Sequence, residues 1–183
     1  MTGNAFAAID LDDTVRHDLA AALHAASTGR RMPGKLVPPE NWHLTVRFLG
    51  DIEDEVVDRF AHAYEEALDA APSHVTCAGL GAFPSLVTAR VLYADVGDTD
   101  QVLPLLATQA ETAAERIGLE PEGRPYRPHL TLSRLRPKQD VQAFVKAFGD
   151  FSVRIPVDAV TIFRSERTAG GLRYRVMHRL PIA

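Results

Sequence analysis

Apolar residues recur along this chain with two different periods. Over 13–26, alanines and leucines at helical spacing predict a helix, which Asp12 or Asp13 caps. A second helical pattern covers 53–71, with Val56, Val57, Phe60, Tyr64 and Leu68 as its apolar positions, and ends at Pro72-Ser73. A third runs over about 100–118 and stops at Gly118, and a short one covers about 140–148. Strand patterns occur at 4–11, 42–49, about 74–80, about 90–96, from His129 onward, and at about 151–164 and 172–180 on either side of Gly170-Gly171. Two proline-bearing loops with basic residues, 27–40 and 121–128, each lead into a strand, and 81–85 reads as a turn. Strands and helices do not alternate strictly, so the predicted fold class is α+β.

Composition narrows the setting. With 183 residues, 46% of them hydrophobic, the chain can bury a core without staples. Its single cysteine, Cys77, cannot form an internal disulfide, and no Cys/His cluster has zinc-site spacing, so a reducing, cytoplasmic compartment is expected. The apolar stretch before Asp10 is short and has no basic leader, unlike a signal peptide or membrane span. Net charge is −4, which supplies no global field for nonspecific nucleic-acid binding. The charge is uneven, however. Residues 1–120 hold 8 Lys/Arg and 19 Asp/Glu, whereas 121–183 hold 12 and 5. An anionic ligand is drawn to the last third, unless its arginines only form a solvated face.

The chemistry concentrates in two tetrapeptides 86 residues apart, His43-Leu44-Thr45-Val46 and His129-Leu130-Thr131-Leu132. One such tetrapeptide arises by chance in about one chain of this length in a hundred at average composition. Two in matched contexts point to a worn internal duplication, in which two half-domains pack about a pseudo-two-fold axis. The expected architecture is one bilobal unit over 1–183. Each lobe has an antiparallel sheet with helices on its outer face, and the cleft lies between the sheets. Alternation along a strand predicts His43, Thr45 and Arg47 on one face, and His129, Thr131 and Ser133 on the other motif's equivalent face. Two imidazoles facing a phosphodiester could divide acid and base work near neutral pH. Threonine hydroxyls could hold the nonbridging oxygens, and an arginine could supply the charge that a metal supplies elsewhere. Arg127, two residues before His129, has the right parity; Arg134, five after it, reaches the site only if the strand twists or ends there. The other histidines, His17, His24, His62, His74 and His178, lack the motif context and read as structural.

With these motifs, Phe6-Ala7-Ala8-Ile9-Asp10, Val37-Pro38-Pro39-Glu40-Asn41-Trp42, Arg47-Phe48-Leu49-Gly50, Gly79-Leu80-Gly81-Ala82-Phe83-Pro84, Tyr126-Arg127-Pro128 and Phe163-Arg164-Ser165, the chain resembles the two-histidine phosphoesterase superfamily. The resemblance is to its RNA 2′,3′-cyclic phosphodiesterase branch, also called 2′-5′ RNA ligase-like, and runs nearly end to end. It implies opening of a terminal 2′,3′-cyclic phosphate to a 2′-phosphomonoester without a metal or other cofactor, and weak, reversible 2′-5′ ligation. It further implies that His43 is the general acid toward the leaving 3′ oxygen and His129 the base toward water. Thr45, Thr131 and Arg134 become phosphate ligands. The expected partners are RNA ends or nucleotides carrying the cyclic phosphate, with no membrane, acting on a monomer.

Other chemistries fit less well. Gly79-x-Gly81 lacks the full nucleotide-loop fingerprint. Neither motif histidine has a second ligand at metal-site spacing, and Arg47 at i+4 from His43 would repel a cation. No elbow surrounds Cys77 or a serine. A cyclic phosphodiesterase acting on small nucleotides or 2′-5′ oligonucleotides keeps the same four residues, and an RNA-end binding protein without turnover would use the same cleft.

Overall fold

A computed structural model describes residues 3–183. Among the described residues, nine strands and four α-helices follow in the order β1 (Ala5–Asp10), α1 (Asp13–Ser27), β2 (Lys35–Leu36), β3 (His43–Gly50), α2 (Asp54–Ala67), β4 (Ser73–Phe83), β5 (Ala89–Gly97), α3 (Val102–Arg116), β6 (His129–Gln139), α4 (Gln142–Ala147), β7 (Val153–Val157), β8 (Ala159–Thr168) and β9 (Gly171–Pro181), with a 3-10 turn at Pro39–Asn41 ahead of β3. The strands pair antiparallel in the order β7-β4-β5-β6-β3-β1-β8-β9, with β2 added to β6. The class is α+β with two lobes, as the mixed element order predicts.

The lobes meet at a seam. β3 and β6 share a single registered pair, Leu44 with Leu130, and the arrangement repeats on either side of it. One lobe runs β3-β1-β8-β9 and the other β6-β5-β4-β7. The two sheets expected from sequence are therefore joined edge to edge at their motif strands. α1, which follows β1, packs on β7, and α3, which follows β5, packs on β3, so each helix covers the lobe opposite the strand it leaves. Leu19 and Leu23 of α1 and Leu103, Leu106 and Ala110 of α3 enter one core with Leu44 and Leu130. Each fully buried leucine contributes about 1.5–3 kcal/mol.

Local chemistry sets the boundaries. Asp12 caps α1, its Oδ1 accepting from the Val15 N–H at 2.8 Å. α3 has no cap of its own; Asp98 reaches forward instead, accepting from the N–H groups of Val102 and Leu103 at 3.0 and 2.7 Å. The pattern over 53–71 overshoots, since α2 ends at Ala67. β4 continues through Phe83, three residues past the predicted strand, and carries that ring to the cleft. The predicted strand 151–164 is divided at Asp158 into β7 and β8, which join opposite lobes. A bend leaves the apolar alternation intact, so periodicity does not reveal it. β7 is an edge strand, where Pro156 costs no ladder bond.

The two loops brace the motif strands crosswise. Ahead of the first motif, the Val37 N–H donates to the Leu132 carbonyl at 2.9 Å, and Pro33 accepts from Ser133 Oγ at 2.7 Å. Ahead of the second, Tyr126 Oη donates to the Thr45 carbonyl at 3.0 Å. Gly34, at φ +84°, allows the first loop to approach the Arg134 carbonyl, where a Cβ would stand 2.7 Å from the oxygen.

Candidate active site

Both motif strands depart from strict alternation at the same place. Along β1, Ala7 faces Arg47 but Ala8 faces Thr45, so Val46 is an extra residue in β3. Along β5, Leu92 faces Ser133 but Tyr93 faces Thr131, so Leu132 is an extra residue in β6. Each is a β-bulge, which re-aims every side chain beyond it. The two strands accordingly bury the same positions through their first seven residues. The bulge corrects the predicted faces. Arg47 turns away from the histidine, lies 7% exposed, pairs with Glu111 of α3 at 2.6 Å and donates to the Phe48 and Glu120 carbonyls at 2.5 and 2.6 Å. Ser133 likewise turns inward. In their places Phe48 and Arg134 reach the cleft. The bulge, rather than strand twist or strand end, resolves the parity of Arg134. Since Arg47 points elsewhere, it cannot repel a cation beside His43.

The histidines are held alike. His43 Nδ1 donates to the Asn41 carbonyl at 2.8 Å, and His129 Nδ1 donates to the Arg127 carbonyl at 2.7 Å. A carbonyl only accepts, so each neutral ring carries its proton on Nδ1 and keeps its Nε2 lone pair. His43 lies against the rings of Phe6 (4.8 Å between centroids) and Tyr174 (5.2 Å), and His129 against Phe83 (4.9 Å) and Tyr93 (5.4 Å). The Tyr93 ring lies over Gly81, where any Cβ would overlap it. Burial pushes the His43 pKa down to about 4; the Asn41 hydrogen bond opposes this, and the charges of Arg134 and His129 add to it. His129 is also lowered, chiefly by burial, against its bond to the Arg127 carbonyl and with Arg134 and Arg127 assisting.

A cleft of about 730 Å3 lies over the seam and is lined by His43, Thr45, His129, Thr131 and Arg134. Continuing the Leu44–Leu130 register by one residue sets His43 opposite Thr131 and Thr45 opposite His129. The tetrad is thus diagonal, with backbone neighbours about 5 Å apart. Arg127 does not line the cleft. Its carbonyl fixes His129, and its guanidinium stands 5.3 Å from the centre of the Phe83 ring. Sequence reasoning did not single out Phe48, Asn41, Tyr174, Lys35 or Arg173, all of which line the cleft. Asn41 had a signal available, because it stands two before His43 as Arg127 does before His129. Its side chain also donates to the Leu172 carbonyl at 2.8 Å and ties the β8–β9 hairpin to the first motif. Outside the cleft, His178 pairs with Asp58 and His62 with Glu66. Among the described residues no group of three or more His, Cys, Asp or Glu converges.

This cleft, with two Nδ1-anchored imidazoles and paired hydroxyls on a joined two-lobe sheet, is that of a phosphoesterase. The chain belongs to the family described as LigT like Phosphoesterase, which it matches over residues 9–93 and 96–174, each stretch holding one motif. It is 30% identical over 166 residues to an RNA 2′,3′-cyclic phosphodiesterase of Aeropyrum pernix, covering 86% of this chain and 90% of that one. A protein of the same description from Thermus thermophilus is 31% identical over 185 residues, covering 97% and 89%. The crystal structure of TT0787 from Thermus thermophilus superposes with a TM-score of 0.76 at 27% identity, over 98% of this chain and 97% of that one.

Proposed function

We propose that this protein is an RNA 2′,3′-cyclic phosphodiesterase that opens a terminal cyclic phosphate to a 2′-phosphomonoester by two-histidine acid/base catalysis. His129 Nε2 takes a proton from water as the water oxygen bonds to phosphorus. The bond from phosphorus to the 3′ oxygen breaks, and His43 Nε2–H returns a proton to that oxygen, leaving phosphate on the 2′ oxygen. Thr45 and Thr131 donate to the nonbridging oxygens, Arg134 balances their growing charge, and Arg127 adds positive potential from the rim. A 5′-hydroxyl in place of water gives the weak, reversible 2′-5′ ligation.

The observation that carries this reading is the matched anchoring of the two imidazoles, each free at Nε2 and each beside a threonine of the other motif. The acid needs a proton that His43, with a pKa of about 4, does not hold by itself near neutral pH. Substrate brings it: an anionic phosphate neutralises Arg134 and places negative charge beside both rings, raising their pKa values. Phosphate binding is therefore coupled to proton uptake.

A single unit over 1–183, built from two duplicated halves, is the working form, because one chain contributes both motifs and each loop braces the other motif strand. It acts as a monomer in the cytoplasm, in keeping with its free, buried Cys77. No helix among the described residues is long and apolar enough to cross a membrane. Nucleoside 2′,3′-cyclic phosphates should be hydrolysed at full rate in EDTA, with a bell-shaped pH dependence. Activity lost to chelation and restored by a divalent metal would refute the two-histidine mechanism.

A further inference from the structure

Beside each motif histidine stands an aspartate on the next strand of its lobe. Along β1 and β3, Ala8 faces Thr45, Ile9 faces Leu44 and Asp10 faces His43. Along β5 and β6 the same register returns, with Tyr93 facing Thr131, Ala94 facing Leu130 and Asp95 facing His129. Residues directly opposite on antiparallel strands share a face, with Cβ atoms about 5 Å apart. The two aspartates differ in their company. Arg16 of α1 pairs with Asp10 at 2.6 Å, and both line a cavity of about 130 Å3 with His43, Tyr174 and the exposed Glu40. Among the described residues Asp95 has no ion pair, and its Oδ1 accepts from the Val96 N–H at 3.1 Å. Its charge is felt at the cleft wall: burial raises the Tyr93 phenol, Arg127 opposes this, and Asp95 adds to it. That ring lies 5.4 Å from the His129 ring.

This difference supplies what two identical tetrapeptides lack, a reason for unequal roles. A base becomes an imidazolium as it takes the proton from water, so a free negative charge nearby stabilises its transition state. The acid starts as an imidazolium and gives its proton away, so the same charge would hold that proton back. His129 is faced by Arg127 and Arg134 on either side of it in sequence, by Tyr93 and Asp95 of β5, and by His43 across the seam. Asp95 is the anion in that set, and it offsets the two arginines. We infer that Asp95 is a positioning residue whose unpaired charge makes His129 the base, while Arg16, by neutralising Asp10, removes the same influence from His43.

The inference rests on the phosphodiesterase reading, and one arm of its test does not depend on turnover. Protonation of the two imidazoles is followed by NMR at low salt, without substrate, in the wild type, Asp95→Asn and Asp95→Glu. Asp95→Asn should move the His129 midpoint to lower pH and leave that of His43 in place, whereas Asp95→Glu should keep both. With adenosine 2′,3′-cyclic phosphate, Asp95→Asn should lower kcat about 3- to 10-fold with KM unchanged, as expected for one charge lost a few ångströms away at a solvated surface. The acid limb of its kcat/KM profile should move to lower pH with the midpoint, and added salt should narrow its gap from wild type. An unmoved His129 midpoint in Asp95→Asn, equal movement at His43, or an undiminished kcat overturns the role of Asp95. A wild type whose imidazoles titrate as expected but which does not turn over the nucleotide overturns the phosphodiesterase reading beneath it.

Discussion

β3 and β6 are two versions of one strand. Each starts His-Leu-Thr, each bulges at the next aliphatic residue, and each buries the residue that follows. They diverge where the bulge leaves a choice. β3 buries an arginine and exposes Phe48, whereas β6 buries a serine and exposes Arg134. The shared part makes two nearly equivalent imidazoles; the divergent part makes the cleft polar on one side and aromatic on the other. On the proposed mechanism, symmetry supplies the two reacting imidazoles, and its breaking leaves one side of the cleft charged and the other aromatic.

The largest effect comes from removing what the strands share. His43→Ala and His129→Ala should each lower kcat/KM by about 100- to 10,000-fold on a nucleoside 2′,3′-cyclic phosphate, with a near-native melting profile. Undiminished turnover in either variant would reduce that histidine to a structural part. Exchanging the divergent residues, Phe48→Arg with Arg134→Phe, keeps the cleft's composition but reverses its polarity. This double variant should stay at or below the activity of Arg134→Ala, measured on the same substrate. Recovery toward wild type would mean that only composition matters.

The buried partners should differ in stability rather than chemistry. Arg47→Ala removes the ion pair to the partly exposed Glu111 and the donors to the Phe48 and Glu120 carbonyls, and is expected to cost about 3 kcal/mol in denaturant unfolding, about 1–1.5 kcal/mol for each lost hydrogen bond. Ser133→Ala removes one buried hydrogen bond to the Pro33 carbonyl and should cost only about 1–2 kcal/mol. Equal costs would argue that the two inward turns are mechanically alike.

His43 also sets a pH dependence. Its folded pKa, about 4, lies below the unfolded value of 6.5, so protons bind the unfolded chain more readily. Its contribution to stability is full above pH 6.5 and declines as pH falls through 4, by up to about 3 kcal/mol. His43→Phe should flatten this part of the stability profile between pH 6.5 and 4; an unchanged slope would show that the imidazole is solvated.

Much of this was legible in the sequence because helical and strand periods are local. Asp12 at the head of α1, Gly118 behind α3 and the repeated His-Leu-Thr all announce themselves within a few residues. The bulges do not. An extra residue in a strand is defined by its partner, and the alternation of β3 and β6 predicted Arg47 and Ser133 in the cleft for that reason. The division of 151–164 between two lobes, and the phenylalanines and Tyr174 that wall the histidines, also depend on which strands become neighbours.

The most direct test of two imidazoles sharing one in-line displacement is the product formed from an RNA ending in a 2′,3′-cyclic phosphate, with EDTA present. A terminal 2′-phosphate beside a free 3′-hydroxyl is the predicted outcome. A 3′-phosphate, or an intact cyclic end after prolonged incubation, would contradict it.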